Sequence, residues 1–198
     1  MTRKLKWGGT AAKFAEMGHA VKFVSLTNGD AGHHKEGGGA LAKRRAAEAQ
    51  QAAKILGIDE YVIFDNHDAE LMPNLYIRHD IISEIRYWNA DIVIRLRPND
   101  YHSDHRYAGI LVMDATFLVV VPNVISNTPA LKKSPVFLYM EYRKKPNPFT
   151  PEIIVAVDDT FSTKIEALDA HVSQFYEWLP KVIGIDEDVP ENPDKRKK

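Results

Sequence analysis

The run Ala20-Val21-Lys22-Phe23-Val24-Ser25-Leu26-Thr27, the turn Asn28-Gly29-Asp30 after it, and the alanine-rich segment Leu41 to Leu56 together decide the fold. The run is dense in β-branched and aromatic residues, which suit a pleated strand, and Asn-Gly-Asp breaks it in a turn. A glycine-rich stretch, Gly32 to Gly39, leads into Leu41 to Leu56, whose residues are strong helix formers; Gly57 stands where a helix end favours a left-handed residue. Tyr61-Val62-Ile63-Phe64-Asp65 then has the pattern of a short buried strand. Strand, helix and strand in that order predict a βαβ unit with its strands parallel.

The same alternation extends in both directions. Before it, Thr10 to Gly18 has helical spacing. After it come an amphipathic helix from Leu75 to Asn89, with Ile77, Ile81, Ile82, Ile85 and Trp88 on its apolar side, and a third strand, Asp91 to Arg97, broken by Pro98-Asn99-Asp100. Arg106 to Val121 is expected to be a mostly buried helix. Val136 to Tyr139 and Ile153 to Val157 are expected strands, separated by a proline-rich loop over Lys144 to Pro151, and Phe161 to Leu179 is expected to be a closing helix. The prediction is an α/β, Rossmann-like fold: a mostly parallel sheet with right-handed crossovers and helices on both faces. It occupies a single domain over 1–185, followed by a charged, disordered tail over 186–198. In such sheets ligands bind outside the carboxyl ends of the strands, which here means after Thr27, Asp65 and Arg97.

Composition narrows the chemistry. Lys and Arg number 26 against 27 Asp and Glu, so no global field draws the chain to nucleic acid or anionic lipid. With no cysteine, disulfides and thiolate metal sites are excluded, and a metal would need His and carboxylate ligands. The longest apolar run, Ile110 to Pro122, carries Asp114 and is too short to span a bilayer. The basic start, Met1 to Lys6, leads into Trp7-Gly8-Gly9-Thr10 with no apolar signal region, so on the sequence as it begins the expected location is cytoplasmic.

Three polar clusters fall at the expected strand ends: Asn28-Gly29-Asp30 with His33-His34, Asn66-His67-Asp68, and Asp100 with His102-Ser103-Asp104-His105. The last is the sharpest. His102 and His105, three apart, face one space if they open a helix, and Asp104 between them is placed to orient one imidazole. A neutral imidazole suits zinc, and a second one with a carboxylate partner suits a general acid. His-x-x-His alone is more often a surface pair, but its place after the third strand raises its weight. His33-His34 reads first as a solvated loop, His67 as a turn residue, His171 as a packed helix histidine, and Asp158-Asp159 as a helix cap. Arg45 and Glu48 either pair on a helix surface, or Arg45 holds a substrate oxygen; Asp68 either accepts sugar hydroxyls or initiates the turn before Leu71.

Several motifs in fixed order resemble the PIG-L/LmbE deacetylases over about Leu5 to Leu179. They are Gly8-Gly9-Thr10, the helix ending in Gly18-His19, Thr27-Asn28-Gly29-Asp30-Ala31-Gly32, Arg45-Ala46-Ala47-Glu48, Leu56-Gly57, Asp65-Asn66-His67-Asp68, Arg97-Pro98-Asn99-Asp100-Tyr101-His102-Ser103-Asp104-His105, and Ala167-Leu168-Asp169-Ala170-His171-Val172-Ser173-Gln174. The resemblance implies a zinc-dependent hydrolase that removes an acetyl group from an N-acetylglucosamine-type sugar. It implies His105 as a zinc ligand, His102 as general acid or carbonyl polariser, Asp104 as the group orienting His102, and Arg45 and Asp68 as substrate contacts. Family members also carry His-Pro-Asp-Asp shortly before Gly-Gly-Thr. By that spacing its aspartates would fall at Met1 and Thr2 and its His before the chain begins, so the domain is expected to be shortened at its amino end and to lack two of the three usual zinc ligands.

The expected partner is a small N-acetylated sugar or conjugate, with no nucleic acid and no membrane span; a homo-oligomer is compatible with the sequence. The alternative reading is a non-catalytic carbohydrate-binding remnant of the same fold. A nucleotide site is disfavoured, because Gly37-Gly38-Gly39 does not directly follow a strand and no G-x-G-x-x-G or P-loop is present.

Overall fold

The computed structural model describes residues 7–140 and 150–196. Residues up to Ala69 together with those from Ile153 onward form one compact unit, and Glu70–Glu152 form a second. Most of the loop expected over Lys144 to Pro151, and the basic start Met1 to Lys6, lie outside the described residues.

In the first unit, α1 (Gly8–Glu16), β1 (Lys22–Ser25), α2 (Gly38–Leu56) and β2 (Glu60–Ile63) follow the predicted order. Strands β1 and β2 are parallel, with Phe23 opposite Tyr61 and Val24 opposite Val62, so the predicted βαβ unit is present. Helix α2 begins earlier than its apolar pattern, at Gly38 with a φ of 60°, and ends on Gly57 at a φ of 67°, the left-handed stop its sequence announces. The core of this unit is made largely of small side chains: Ala11 and Ala12 of α1, Ala49, Ala52 and Ala53 of α2, and Ala167 of α5 (Phe161–Asp169), packed with Leu56, Ile58 and Tyr61. The Gly8-Gly9-Thr10 motif serves this close packing. A Cβ on Gly9 would stand 2.9 Å from the Val157 Cβ, and the Thr160 hydroxyl donates to the Gly9 carbonyl at 2.8 Å.

The closing helix is interrupted. After α5 the chain breaks at Ala170-His171, continues as a π-helical turn over Ser173–Trp178, and finishes in α6 (Leu179–Ile183), with short 3-10 turns at Asp186–Asp188 and Pro193–Lys195. The break has a side-chain cause: Glu48 on α2 takes the Ser173 amide at 2.9 Å and its hydroxyl at 2.6 Å, removing that amide from the helical ladder. Ile153–Val157, expected as a strand, is not one. Among the described residues no strand pairs with it, and Ile153 and Ile154 are 64% and 81% exposed, so β-propensity has no ladder or packed face to act on.

In the second unit, α3 (Leu75–Trp88) starts on Asn74, whose side chain accepts the Ile77 amide at 3.0 Å, and stops on Asn89 in the left-handed region. Strand β3 (Ile92–Arg95), helix α4 (Ser103–Ala115) and β4 (Val136–Tyr139) form a second βαβ unit with β3 and β4 parallel. The mostly parallel α/β architecture is therefore as predicted, its strands forming two parallel pairs among the described residues. Helix α4 is shorter than the expected Arg106–Val121 and starts earlier; a 3-10 turn, Leu118–Val120, follows it.

Two features fix this unit. A Cβ on Gly109 would stand 2.7 Å from the backbone of Leu96 and Arg97, so only glycine lets α4 lie this close to the end of β3. The buried guanidinium of Arg86, on α3, donates to the carbonyls of Leu118, Val119, Val121, Val124, Ile125 and Thr128 at 2.7–3.1 Å, holding the loop that carries Ile125 at a φ of 54°. No helix among the described residues is long and apolar enough to cross a membrane.

Candidate active site

The first cluster grows from the carboxyl ends of β1 and β2, which lie side by side because the strands are parallel. The Asn28 amide donates to the Asn66 carbonyl at 2.9 Å, the Asn28 side chain to Asp65 at 2.9 Å, and the Asn66 side chain to the Leu26 carbonyl at 2.8 Å. Asp30 is the organising group. Its carboxylate accepts the Asp68 amide at 2.9 Å and lies 2.6 Å from His67 Nδ1. Burial pushes the Asp30 carboxyl up, but the Asp68 amide and His67 outweigh it and hold it below the usual carboxylate range. Asp68 is thereby fixed, with one oxygen taking the Thr27 hydroxyl at 3.2 Å and the other 3.8 Å from Arg45 Nη1.

Arg45 does not pair with Glu48. Its head is buried, donating to the Gly29 carbonyl at 2.8 Å and to the Gly32 carbonyl, while its Nε has no hydrogen-bond partner. The structure thus brings Arg45 and Asp68 together. His33 is not a solvated loop residue: its side chain is 1% exposed and it lies 3.0 Å from Glu177. Asp159 pairs with Lys13 at 2.9 Å.

His171 is buried, as a packed histidine should be, though at the break between α5 and the π turn and with its Nε2 lacking a partner. Burial, reinforced by the Arg45 guanidinium, holds its imidazole down at about 4 against an ordinary 6.5. The unfolded chain therefore binds a proton below pH 6.5 that the native form refuses until about pH 4. The stability linked to His171 is full above pH 6.5 and is lost as pH falls through that window, amounting to about 3 kcal/mol. Urea unfolding at pH 7.5 and 4.5 should show a smaller acid loss in His171→Gln than in the wild type; equal losses would remove His171 as the cause.

The second cluster stands at the end of β3. Asp100 is buried and organises it, accepting the His102 amide at 3.1 Å and lying 3.2 Å from His105 Nδ1. With Nδ1–H directed at Asp100, His105 keeps the Nε2 lone pair, the carboxylate–histidine arrangement used by metal-ligating imidazoles. His102 caps α4: its Nδ1 accepts the Asp104 amide at 3.2 Å, which places the ring hydrogen on Nε2. Asp104 is thus tied to His102 through its backbone, while its carboxylate accepts the Leu71 amide at 3.3 Å. The two imidazoles lie 4.8 Å apart between centroids, and the exposed Tyr101 ring stands edge-on to both. The structure places His102, Asp104 and His105 at the start of α4, with Asp104 meeting the His102 ring through its backbone amide. The sequence reading passed over the roles of Asp30 and Asp100, whose one signal was an aspartate in the turn leaving a strand.

A catalytic zinc takes three protein ligands and a water. His105 can give it one bond, and among the described residues no group of three His, Cys, Asp or Glu side chains gathers that could hold a metal. The described residues alone therefore do not fit a complete zinc site.

Comparison with known proteins bears on the fold and the family. The chain is 32% identical to the diacetylchitobiose deacetylase of Thermococcus kodakarensis, over 87% of this chain and 68% of that protein. Its fold matches the N,N'-diacetylchitobiose deacetylase of Pyrococcus horikoshii, solved with its inhibitor MPG, with a TM-score of 0.78 at 27% identity, over 91% of this chain and 69% of that one. The conserved protein TT1542 of Thermus thermophilus, at 23% identity and a TM-score of 0.69 over 92% and 78% of the two chains, shares the fold alone. The family model for PIG-L, GlcNAc-PI de-N-acetylase, matches residues 4–116. Members of this family are N-deacetylases, that is amide hydrolases, and are generally metal dependent. On a match spanning more than half its length, the chain belongs to the PIG-L family of GlcNAc-PI de-N-acetylases.

Proposed function

We propose that this chain acts on an N-acetylglucosamine-type sugar, as its diacetylchitobiose-deacetylase relatives do, and removes the acetyl group in a zinc-dependent reaction. The observation that carries this reading is the pair His102 and His105, set 4.8 Å apart at the end of β3, with Nδ1 of each ring committed to the protein, as an acceptor in His102 and as a donor in His105. Hydrolysis adds a water oxygen to the acetyl carbon and breaks the C–N bond, releasing acetate and an amine that takes up a proton. His102, with Nδ1 engaged and hydrogen on Nε2, suits polarisation of the acetyl oxygen; full proton donation would require releasing the Asp104 amide. His105 offers Nε2 to the metal. Asp68, fixed by Asp30 and Thr27, accepts sugar hydroxyls, with Arg45 beside it contributing its unspent Nε.

A second reading, a carbohydrate-binding protein of this fold that does not hydrolyse, is supported by the Arg45–Asp68 pair beside the glycine-rich loop, which contacts a sugar without needing a metal. The test is acetate release from N,N'-diacetylchitobiose with zinc supplied, beside calorimetric binding of the same sugar. Release that drops about ten-fold or more in Arg45→Ala and Asp68→Ala, for loss of a charge-assisted hydrogen bond, supports the first reading. Binding without release supports the second. Neither binding nor release would discard both.

A further inference from the structure

The glycine-rich loop after β1 is held by a closed circuit of charged groups that nothing in the family motifs announces. His33 Nδ1 accepts the amides of Lys35 at 3.2 Å and Glu36 at 3.1 Å, so the ring hydrogen sits on Nε2 and is donated to Glu177 at 3.0 Å. Glu177, in the π turn, receives Arg44 of α2 through both guanidinium nitrogens, at 2.8 and 2.5 Å, and Arg44 returns to the loop through Glu36 at 2.9 Å. Arg44 holds the Glu177 carboxyl below its usual range against the opposing effect of burial, with His33 adding to the same direction. The π turn itself is anchored to α2 by Glu48 through Ser173. Such π turns occur frequently at functional sites.

The residue before His33 connects this circuit to the sugar grip. The Gly32 carbonyl receives Arg45, and a Cβ on Gly32 would stand 3.0 Å from Arg45 Nη1 and 3.1 Å from Asp68 Oδ2, so the loop backbone lies directly against the pair. At the far end of the loop the Gly38 amide closes on the Asp30 carbonyl at 2.9 Å. Moving His33 therefore moves the carbonyl that fixes Arg45, and with it the geometry of Arg45 against Asp68.

We propose that His33 and Glu177, linked through Arg44, are positioning residues that latch the glycine-rich loop and thereby set the affinity of the Arg45–Asp68 pair for a hydroxyl-rich sugar. The proposal rests on the reading of that pair as the sugar contact. The latch acts on binding and leaves the reacting bond untouched, so its loss is read in KM and Kd while kcat is preserved.

The test measures binding of N,N'-diacetylchitobiose by calorimetry, KM and kcat wherever acetate is released, and hydrogen exchange of the Lys35, Glu36 and Gly38 amides. Three variants are compared. His33→Ala removes the latch. His33→Asn keeps an acceptor where Nδ1 stood and cuts the link to Glu177, and Glu177→Gln keeps the shape and removes the charge that binds Arg44. The expected result is Kd and KM raised about tenfold in His33→Ala, with a smaller rise in the two conservative variants, faster loop exchange in step, and kcat within about twofold of wild type. If His33→Ala does not fold, the same ordering between His33→Asn, Glu177→Gln and wild type carries the test. Unchanged affinity despite faster loop exchange, or a fall in kcat at constant KM, overturns the latch. Arg45→Ala and Asp68→Ala are the controls: if they leave sugar binding intact, the contact reading itself fails, whereas weakened binding in the controls with none in the latch variants rejects the latch alone.

Discussion

Where the zinc of the proposed reaction is bound, replacing His102 by Ala is expected to leave metal content unchanged and to lower acetate release about 10²–10⁴-fold, the range for a lost acid–base or polarising group. Replacing His105 by Ala is expected to lower metal content itself, with added zinc restoring little, because the geometry at that nitrogen is gone. The separation follows from the role Nδ1 takes in each ring: in His102 it accepts the Asp104 amide, leaving a hydrogen on Nε2, and in His105 it is directed at Asp100, leaving the Nε2 lone pair. Asp100→Asn should therefore resemble a milder His105 defect, since it weakens the orientation and basicity of that ring. Asp104→Asn should disturb His102 only slightly, because the backbone amide that caps the ring survives the substitution. The measurement is zinc per protein beside the rate of acetate release for all four variants in one buffer. Metal loss in His102→Ala with full retention in His105→Ala would reverse the two roles, and unchanged metal and rate throughout would take the cluster out of the active site.

The largest effect on stability is expected at Arg86. Its guanidinium supplies hydrogen bonds to carbonyls of the segment from Leu118 to Thr128, a stretch with little regular structure to satisfy them otherwise. Arg86→Met retains most of the apolar stem and leaves those acceptors unanswered, a loss of about 3 kcal/mol or more, since each buried carbonyl left without a donor costs about 1–3 kcal/mol. Arg86→Lys should recover little, because a single ammonium cannot reach carbonyls spread around a planar fork. Urea denaturation followed by tryptophan fluorescence measures the change. A loss under about 1 kcal/mol in Arg86→Met would mean that the loop satisfies its own backbone.

Much of this architecture is legible in the sequence because local chemistry dictates it. Val136–Tyr139 is a strand at the predicted residues, Gly57 stops α2 in the left-handed region, and α3 starts at the predicted Leu75. What escaped reading depends on residues far apart in the chain. The interruption of the closing helix at His171 is caused by Glu48, and His33 is ordered by Glu177; neither partner is visible to a periodicity argument. Ile153–Val157 has strand composition, but a strand is a paired object and composition does not supply the pair. At the site, the His102-x-x-His105 spacing was readable because both rings open one helix. The assignment of ring nitrogens was not, since it depends on the Asp104 amide and the Asp100 carboxylate in three dimensions.

The exposed segment Ile153-Ile154-Val155 bears on how this protein behaves in a tube. Apolar, β-branched and uncharged, it offers backbone donors and acceptors to any neighbour that can lie alongside, and such stretches seed intermolecular pairing. Nature has bracketed it: Glu152 and Asp158 stand at either end as charged gatekeepers, and Lys13 occupies the Ala156 carbonyl at 3.0 Å. As pH falls and the contribution of His171 is lost, more of the chain opens while carrying this same stretch, so aggregation would accompany acid unfolding. Handling above neutral pH, at low protein concentration, keeps folding measurements from being read through aggregation.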